Sequence, residues 1–382
     1  MNNAWIGKNI DMKHRIPMLA VTLVAMTAAT GVHSRDLVYG SWVSPKHPVM
    51  SVALPYLFKG VAADTNGAVN WKMVAGGQLV NGRGTLAGLR DGIIDAGMSI
   101  PSYTPKALPA TNSVFSSLVF GDDIVAAGGA TAETVMLNCP QCLAEFRKNK
   151  TVFLGGYSAS PFMLMCRDPI KNLAELQGKK VRCSGGGVYL MKLAGAVPVA
   201  MSPAQATTAL QRGSIDCVLG APSWLRSYGY QDVAKHIIQY PLGMVGPVLS
   251  MLINRGTWKK MTMDQKKAHL RYAPRVVAHS VITSYLLRDE SILAAAKKVG
   301  VTLYPGGKEF DDLVARRQKV QRKQNVDNAR KFGVKNPEAI ADAFEAALVK
   351  WRKLSRDIGR DVGKYEAALK REVYDKLDIN AL

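Results

Sequence analysis

The stretch that most limits the fold runs over residues 169–224, where three strand-and-helix steps follow one another with little linking chain. A short helix is expected over 173–176, ending at Gly178, with a strand over 179–183 behind it. Ser184-Gly185-Gly186-Gly187 then opens a helix over 188–194 that Gly195 closes, and 197–201 reads as a second strand. Ser202 caps a helix with Pro203 at its first position, the arrangement a helix start prefers. It ends at Gly213, and 214–219 is a third strand. Repeated steps of this kind belong to α/β architecture.

One side chain in this block carries chemistry. Arg182 leaves its strand at the C-terminal edge, where open α/β sheets bind ligands. The glycines that follow let backbone N–H groups come close to a bound group. A rigid guanidinium fork beside them suits a carboxylate or a phosphate. A surface arginine beside a plain turn is the competing reading.

The order Gly-Lys-Lys-Val-Arg over 178–182, then the run over 197–216, resembles the substrate-binding (DctP-like) proteins of tripartite ATP-independent periplasmic (TRAP) transporters. The family's Ala-Leu-Gln-x-Gly-x-x-Asp signature falls on Ala209, Leu210, Gln211, Gly213 and Asp216. Further matches are His47, Pro48, Thr65, Gly67, Gly77, Gln78, Leu79, Gly92 and Asp95, so the likeness spans roughly residues 37–303. It implies a two-lobed periplasmic binding protein fold with crossovers between lobes and a long hinge helix, here with extra C-terminal helices. Lobe I is expected over 36–160 plus 246–285, and lobe II over 161–245 plus 286–382. It also implies that Arg182 grips the carboxylate of an organic acid, which is then delivered to a small and a large membrane permease protein. Ligand contacts are expected from Arg182, Trp42, Ser99, Phe162, Gly185, Tyr189, Gly220 and Trp224, with Tyr103 a further wall residue. A ligand receptor feeding a membrane sensor would use the same cleft.

Several positions depart from the family pattern. Many members carry a second arginine where this chain has Ser158-Ala159-Ser160-Pro161-Phe162. A polar pair of other members falls near Leu219 and Gly220, an acidic residue near Ile100, and a glutamate near Gln205. The expected ligand is therefore a monocarboxylate with an apolar or aromatic body.

Outside the central block, the apolar run 16–29 behind Lys13, His14 and Arg15 reads as a cleaved export signal over 1–34, placing the mature protein in the periplasm. Strands are expected over 37–43, 69–74, 93–98, 152–154, 157–165 and 247–254, with 233–244 irregular. One helix is expected over 126–149 and a nearly continuous one over 263–298, kinked or started by Pro274. A helical tail with Ile340, Phe344, Leu348, Trp351, Leu354 and Ile358 on one face is expected to pack over lobe II.

The 382 residues carry a formal net charge of +21, which raises the question of nucleic acid. The basic residues are scattered: 18 basic and 12 acidic residues interleave between Lys308 and Lys376, and no nucleic-acid motif appears. Such a surface favours anionic small molecules instead. Cys139-Pro140-Gln141-Cys142 raises a periplasmic thiol-disulfide oxidoreductase as the alternative function. It lies in a helical context with no thioredoxin-like unit around it, so a local disulfide or inert thiols is the preferred reading. Cys183 and Cys217 are expected to be small packing residues. No zinc, nucleotide or hydrolase motif is present, so no enzyme activity, metal or cofactor is expected.

Overall fold

The computed structural model describes residues 35–117 and 123–382; the expected export signal lies outside them. Eleven strands form two sheets among these residues. In chain order they are β1 (Arg35–Gly40), β2 (Val69–Val74), β3 (Ala96–Ser99), β4 (Thr151–Phe153), β5 (Met163–Cys166), β6 (Lys180–Cys183), β7 (Val197–Ala200), β8 (Cys217–Gly220), β9 (His236–Gln239), β10 (Leu249–Asn254) and β11 (Thr302–Pro305).

The first sheet has the order β2-β1-β3-β10-β4, and the second β11-β9-β5-β8-β6-β7. In the first, β1 runs parallel to β2 and β3, while β10 returns antiparallel between β3 and β4. In the second, β6 is parallel to both β7 and β8, with Arg182 opposite Val199 and Val218. β5 runs antiparallel to β8 and β9. The chain thus crosses between sheets after β4 and returns with β10, giving two mixed α/β layers with Arg182 on an interior strand of the second.

Local chemistry explains most elements. Ser202 and Gln205 form a reciprocal capping box at the start of Pro203–Gln211, satisfying two otherwise orphaned N–H groups. Thr262 and Gln265 do the same for Met263–Ala278. Pro274 therefore lies inside that helix, not at its start. The helix continues through a widened π-helical segment, His279–Leu286, into Leu287–Ala295.

The structure corrects several expectations. Residues 173–176 form turns, not a helix. The helix expected over 126–149 is two, Ile124–Leu137 and Pro140–Lys148, because Pro140 cannot continue the ladder and the Cys139 sulfur accepts the Cys142 N–H as an N-cap. Residues 233–244 contain β9, whose Ile237 and Ile238 are buried against β5. Of the strand expected over 157–165, only β5 and a single Tyr157–Val248 bridge form. Cys217 is not a free packing residue: the antiparallel register sets it opposite Cys166 and the two are disulfide-bonded. Cys139 and Cys142 are also bonded and fully buried, and Cys183 is a buried free thiol.

The tail packs elsewhere than expected. Helix Pro337–Ile358 lies on Ile124–Leu137, within the segment read as lobe I, with the Trp351 indole N–H donating to Glu133 at 2.7 Å. Small residues on Ile124–Leu137 make the trough: a Cβ on Gly129 would lie 2.2 Å from the Trp351 ring. Tyr365 and Tyr374 anchor the chain end by donating to the carbonyls of Val125 and Leu154.

Candidate functional site

Arg182 occupies the third position of β6 and is 1 % exposed. Its Nε donates to the Met201 carbonyl at 2.8 Å, just past β7. Two longer contacts, 3.5 Å each, reach the Leu219 carbonyl on β8 and the Tyr103 hydroxyl. The guanidinium lies 5.3 Å from the centroid of the Trp224 ring. Among the described residues no carboxylate comes within ion-pair distance of it. Burying a cation without an anion is costly, and three neutral oxygens offset that only in part. The arrangement is therefore short of one negative charge.

The guanidinium faces a cavity of about 40 Å³ whose walls come from both sheets. Trp42, following β1, is fixed by its indole N–H donating to the Met98 carbonyl at 3.1 Å, and its ring meets Tyr103 at 5.7 Å between centroids. Phe162 and Trp224 pack at 5.3 Å on the other side. Gly220 makes this possible, since a Cβ there would sit 2.3 Å from the Trp224 ring. The indole nitrogen of Trp224 is buried with no hydrogen-bond partner.

Sequence reasoning missed the back wall. Tyr157, Tyr228 and Tyr285 all line the cavity, as does His47. His47 Nδ1 accepts the Val49 N–H at 3.2 Å, so Nε2 carries the proton and donates to the Tyr285 hydroxyl at 3.2 Å. Burial lowers the His47 pKa to about 3 and keeps the ring neutral. Burial also raises the phenol pKa of Tyr285, to about 12. The wall thus carries no negative charge to compete for Arg182. The family pattern singles out His47 but gives it no ligand role, and no local pattern announces the tyrosines, because Tyr285 reaches His47 across most of the chain.

Of the sequence-derived site residues, the structure brings Trp42, Phe162, Arg182 and Trp224 into this cavity, together with Tyr103. Ser99 is fully buried in β3 but does not line it, and Gly220 acts through Trp224. Gly185 and Tyr189 lie on a separate cleft. Gly185 has a left-handed φ of 54°, and its missing Cβ makes room for the Phe115 ring.

Among the described residues no cluster of His, Cys, Asp and Glu has the arrangement to hold a metal ion, and no helix is long and apolar enough to cross a membrane. The buried Cys139–Cys142 disulfide presents neither sulfur to a substrate.

Two mixed α/β sheets joined by crossovers, with a cavity walled from both, are the two-lobed architecture of a periplasmic binding protein. The chain belongs to the bacterial extracellular solute-binding proteins, family 7 (DctP), whose sequence profile matches residues 39–324. It is 25% identical over 300 residues to the Salmonella typhimurium protein YiiZ, covering 75% of this chain and 86% of that one. It is also 25% identical over 237 residues to the monocarboxylate 2-oxoacid-binding periplasmic protein of Nostoc sp., covering 59% and 62%. A Bordetella bronchiseptica TRAP periplasmic solute-binding protein, solved with (R)- and (S)-mandelate, superposes with a TM-score of 0.69 at 21% identity, over 83% of this chain and 99% of that one. A Bordetella pertussis receptor binding pyroglutamic acid gives 0.67 at 16% identity, over 81% and 99%. At such identities these structures establish the shared fold.

Proposed function

We propose that this protein captures a monocarboxylic acid in the periplasm and hands it to TRAP-type membrane permease proteins. The observation that carries the reading is Arg182, a buried guanidinium with only neutral partners facing an aromatic-walled cavity. A ligand carboxylate supplies the missing charge through a bidentate pair, and closure of the lobes removes water from it. The part of the acid next to the carboxylate lies against Trp42, Phe162 and Trp224, which favours an apolar group there. With one arginine and no second cation among the residues lining this cavity, a second carboxylate held within it would be left unpaired. The protein acts as a receptor and carries out no reaction on its ligand.

Membership of an extracellular solute-binding family supports export and the handover to a permease. The 2-oxoacid, mandelate and pyroglutamate named for the relatives are all monocarboxylates, in keeping with this class. A thermal-shift screen of the purified mature protein over mono- and dicarboxylates, mandelate and pyruvate among them, tests it. Stabilisation by monocarboxylates with an apolar or aromatic body is the expected result; stabilisation by dicarboxylates alone, or by polyhydroxylated sialic acids alone, overturns the reading.

A further inference from the structure

The inner cavity is small for the task just assigned to it. At about 40 Å³, where one water needs about 10–15 Å³, it accommodates a carboxylate and a few attached atoms. A second cavity of about 300 Å³ is lined by the chain neighbours of two of its wall residues. The two are back to back: Tyr103 and Ser184 line the inner one, and their chain neighbours Ser102 and Gly185 line the outer. Phe115 forms the partition, its ring seated against Gly185.

The outer cavity is built from helix Pro109–Ser116, helix Gly187–Leu193 and the C-terminal end of helix Lys308–Lys331. Three of its polar oxygens are buried without a hydrogen-bond partner: Ser102 Oγ, Asn112 Oδ1 and Asn325 Oδ1. Asn325 is 4 % exposed, and its amide nitrogen is already engaged, donating to Ser117 Oγ at 3.2 Å. Asn328 braces the opposite wall by donating to the Tyr189 hydroxyl at 2.5 Å. Unpaired buried oxygens of this kind call for donors from a bound molecule. No carboxylate lines the cavity, whereas Lys192 and Lys331 stand exposed at its edge, so a cationic group is disfavoured there.

We propose that the outer cavity is a subsite for the far end of the same acid, and that this end carries a hydroxyl. The inference rests on the carboxylate reading of Arg182. The carboxylate and first carbons occupy the inner cavity, the Phe115 ring turns aside to let the chain through, and the terminal hydroxyl bonds to Asn325, with Asn112 and Ser102 beside it. A hydroxyl both donates and accepts, so it satisfies these groups in either orientation of the amides.

Calorimetric titration with straight-chain monocarboxylates from butanoate to decanoate, each beside its ω-hydroxy counterpart, tests this. Above a threshold chain length the ω-hydroxy acid should bind roughly three- to tenfold more tightly than the unsubstituted one, the scale of one net hydrogen bond. Asn325→Ala and, separately, Asn112→Ala should bring that ratio down. Equal binding of both acids at every length overturns the proposal. So does a variant that weakens both acids equally and leaves the ratio intact, since that marks a structural role alone. If short acids bind in an Arg182-dependent way with no hydroxyl preference, only the subsite falls. If no acid of the series binds, the carboxylate reading falls with it.

Discussion

Replacing Arg182 by methionine separates the cost of its charge from its use. Within the protein Arg182 makes one good hydrogen bond, to the Met201 carbonyl at 2.8 Å, and two marginal ones at 3.5 Å. Losing a good charge-assisted bond costs about 1.5–3 kcal/mol, and the buried carbonyl left behind adds to that. Against this stands the desolvation of a cation with no carboxylate, several kcal/mol even after relaxation. The two nearly cancel, so Arg182→Met should unfold in denaturant within about 2 kcal/mol of the wild type or above it. Ligand binding should behave oppositely. Removing one partner of a desolvated charge pair costs about 2–5 kcal/mol, or roughly 30- to 5,000-fold in Kd. Arg182→Lys keeps the charge but loses the planar fork, and should fall between the two. Chemical denaturation without ligand and calorimetry with a monocarboxylate from the screen read the two quantities separately. A methionine variant that is badly destabilised yet binds the acid as the wild type does would refute the reasoning.

Other consequences follow from the same geometry. Gly220→Ala places a Cβ 2.3 Å from the Trp224 ring, so the indole must shift; tryptophan fluorescence should change and acid affinity fall roughly tenfold, about 1.4 kcal/mol. Burial raises the Asp289 pKa to about 6 from an ordinary 3.8, against opposing hydrogen bonds from Ser160 and Ser223. The folded chain thus holds this proton more tightly than the unfolded one, and the stability it contributes is present below about pH 4 and lost as pH rises to 6. Across that window the wild type should lose about 3 kcal/mol relative to Asp289→Asn in denaturant titrations, whereas a flat difference would contradict the assignment. The Cys183 thiol is buried and its pKa pushed up to about 11, so it should resist alkylation in the native protein and react on unfolding, as intact-mass analysis would record. Insulin reduction should stay at background, because both sulfurs of the Cys139–Cys142 pair are inaccessible; turnover above background would reopen the redox reading.

The parts legible in the sequence are those whose cause is local. The Ser202–Gln205 cap, the Gly213 stop and the position of Arg182 on a strand followed by glycines are all set within a few residues. Trp42 and Trp224 could be proposed as walls because each closely follows a strand that the pattern places near the cleft. The back wall could not. His47 meets Tyr285 only because the π-helical segment His279–Leu286 is brought against the π-helical turn Val49–Ala53 by the fold. The Cys166–Cys217 bond likewise depends on the pairing of β5 with β8, which strand periodicity does not specify. The glycine run has a second role that its pattern does not show. Gly185 reads as an anion-binding turn, yet its backbone serves the close approach of Phe115 and so the partition between two cavities.

The central claim is that a negative charge on the ligand completes Arg182. Titrating the wild-type protein with a monocarboxylic acid from the screen and with its primary amide, identical in shape but neutral, measures that charge directly. Binding of the acid with loss of roughly 30-fold or more for the amide is the expected result. Equal affinity for the two would contradict the account.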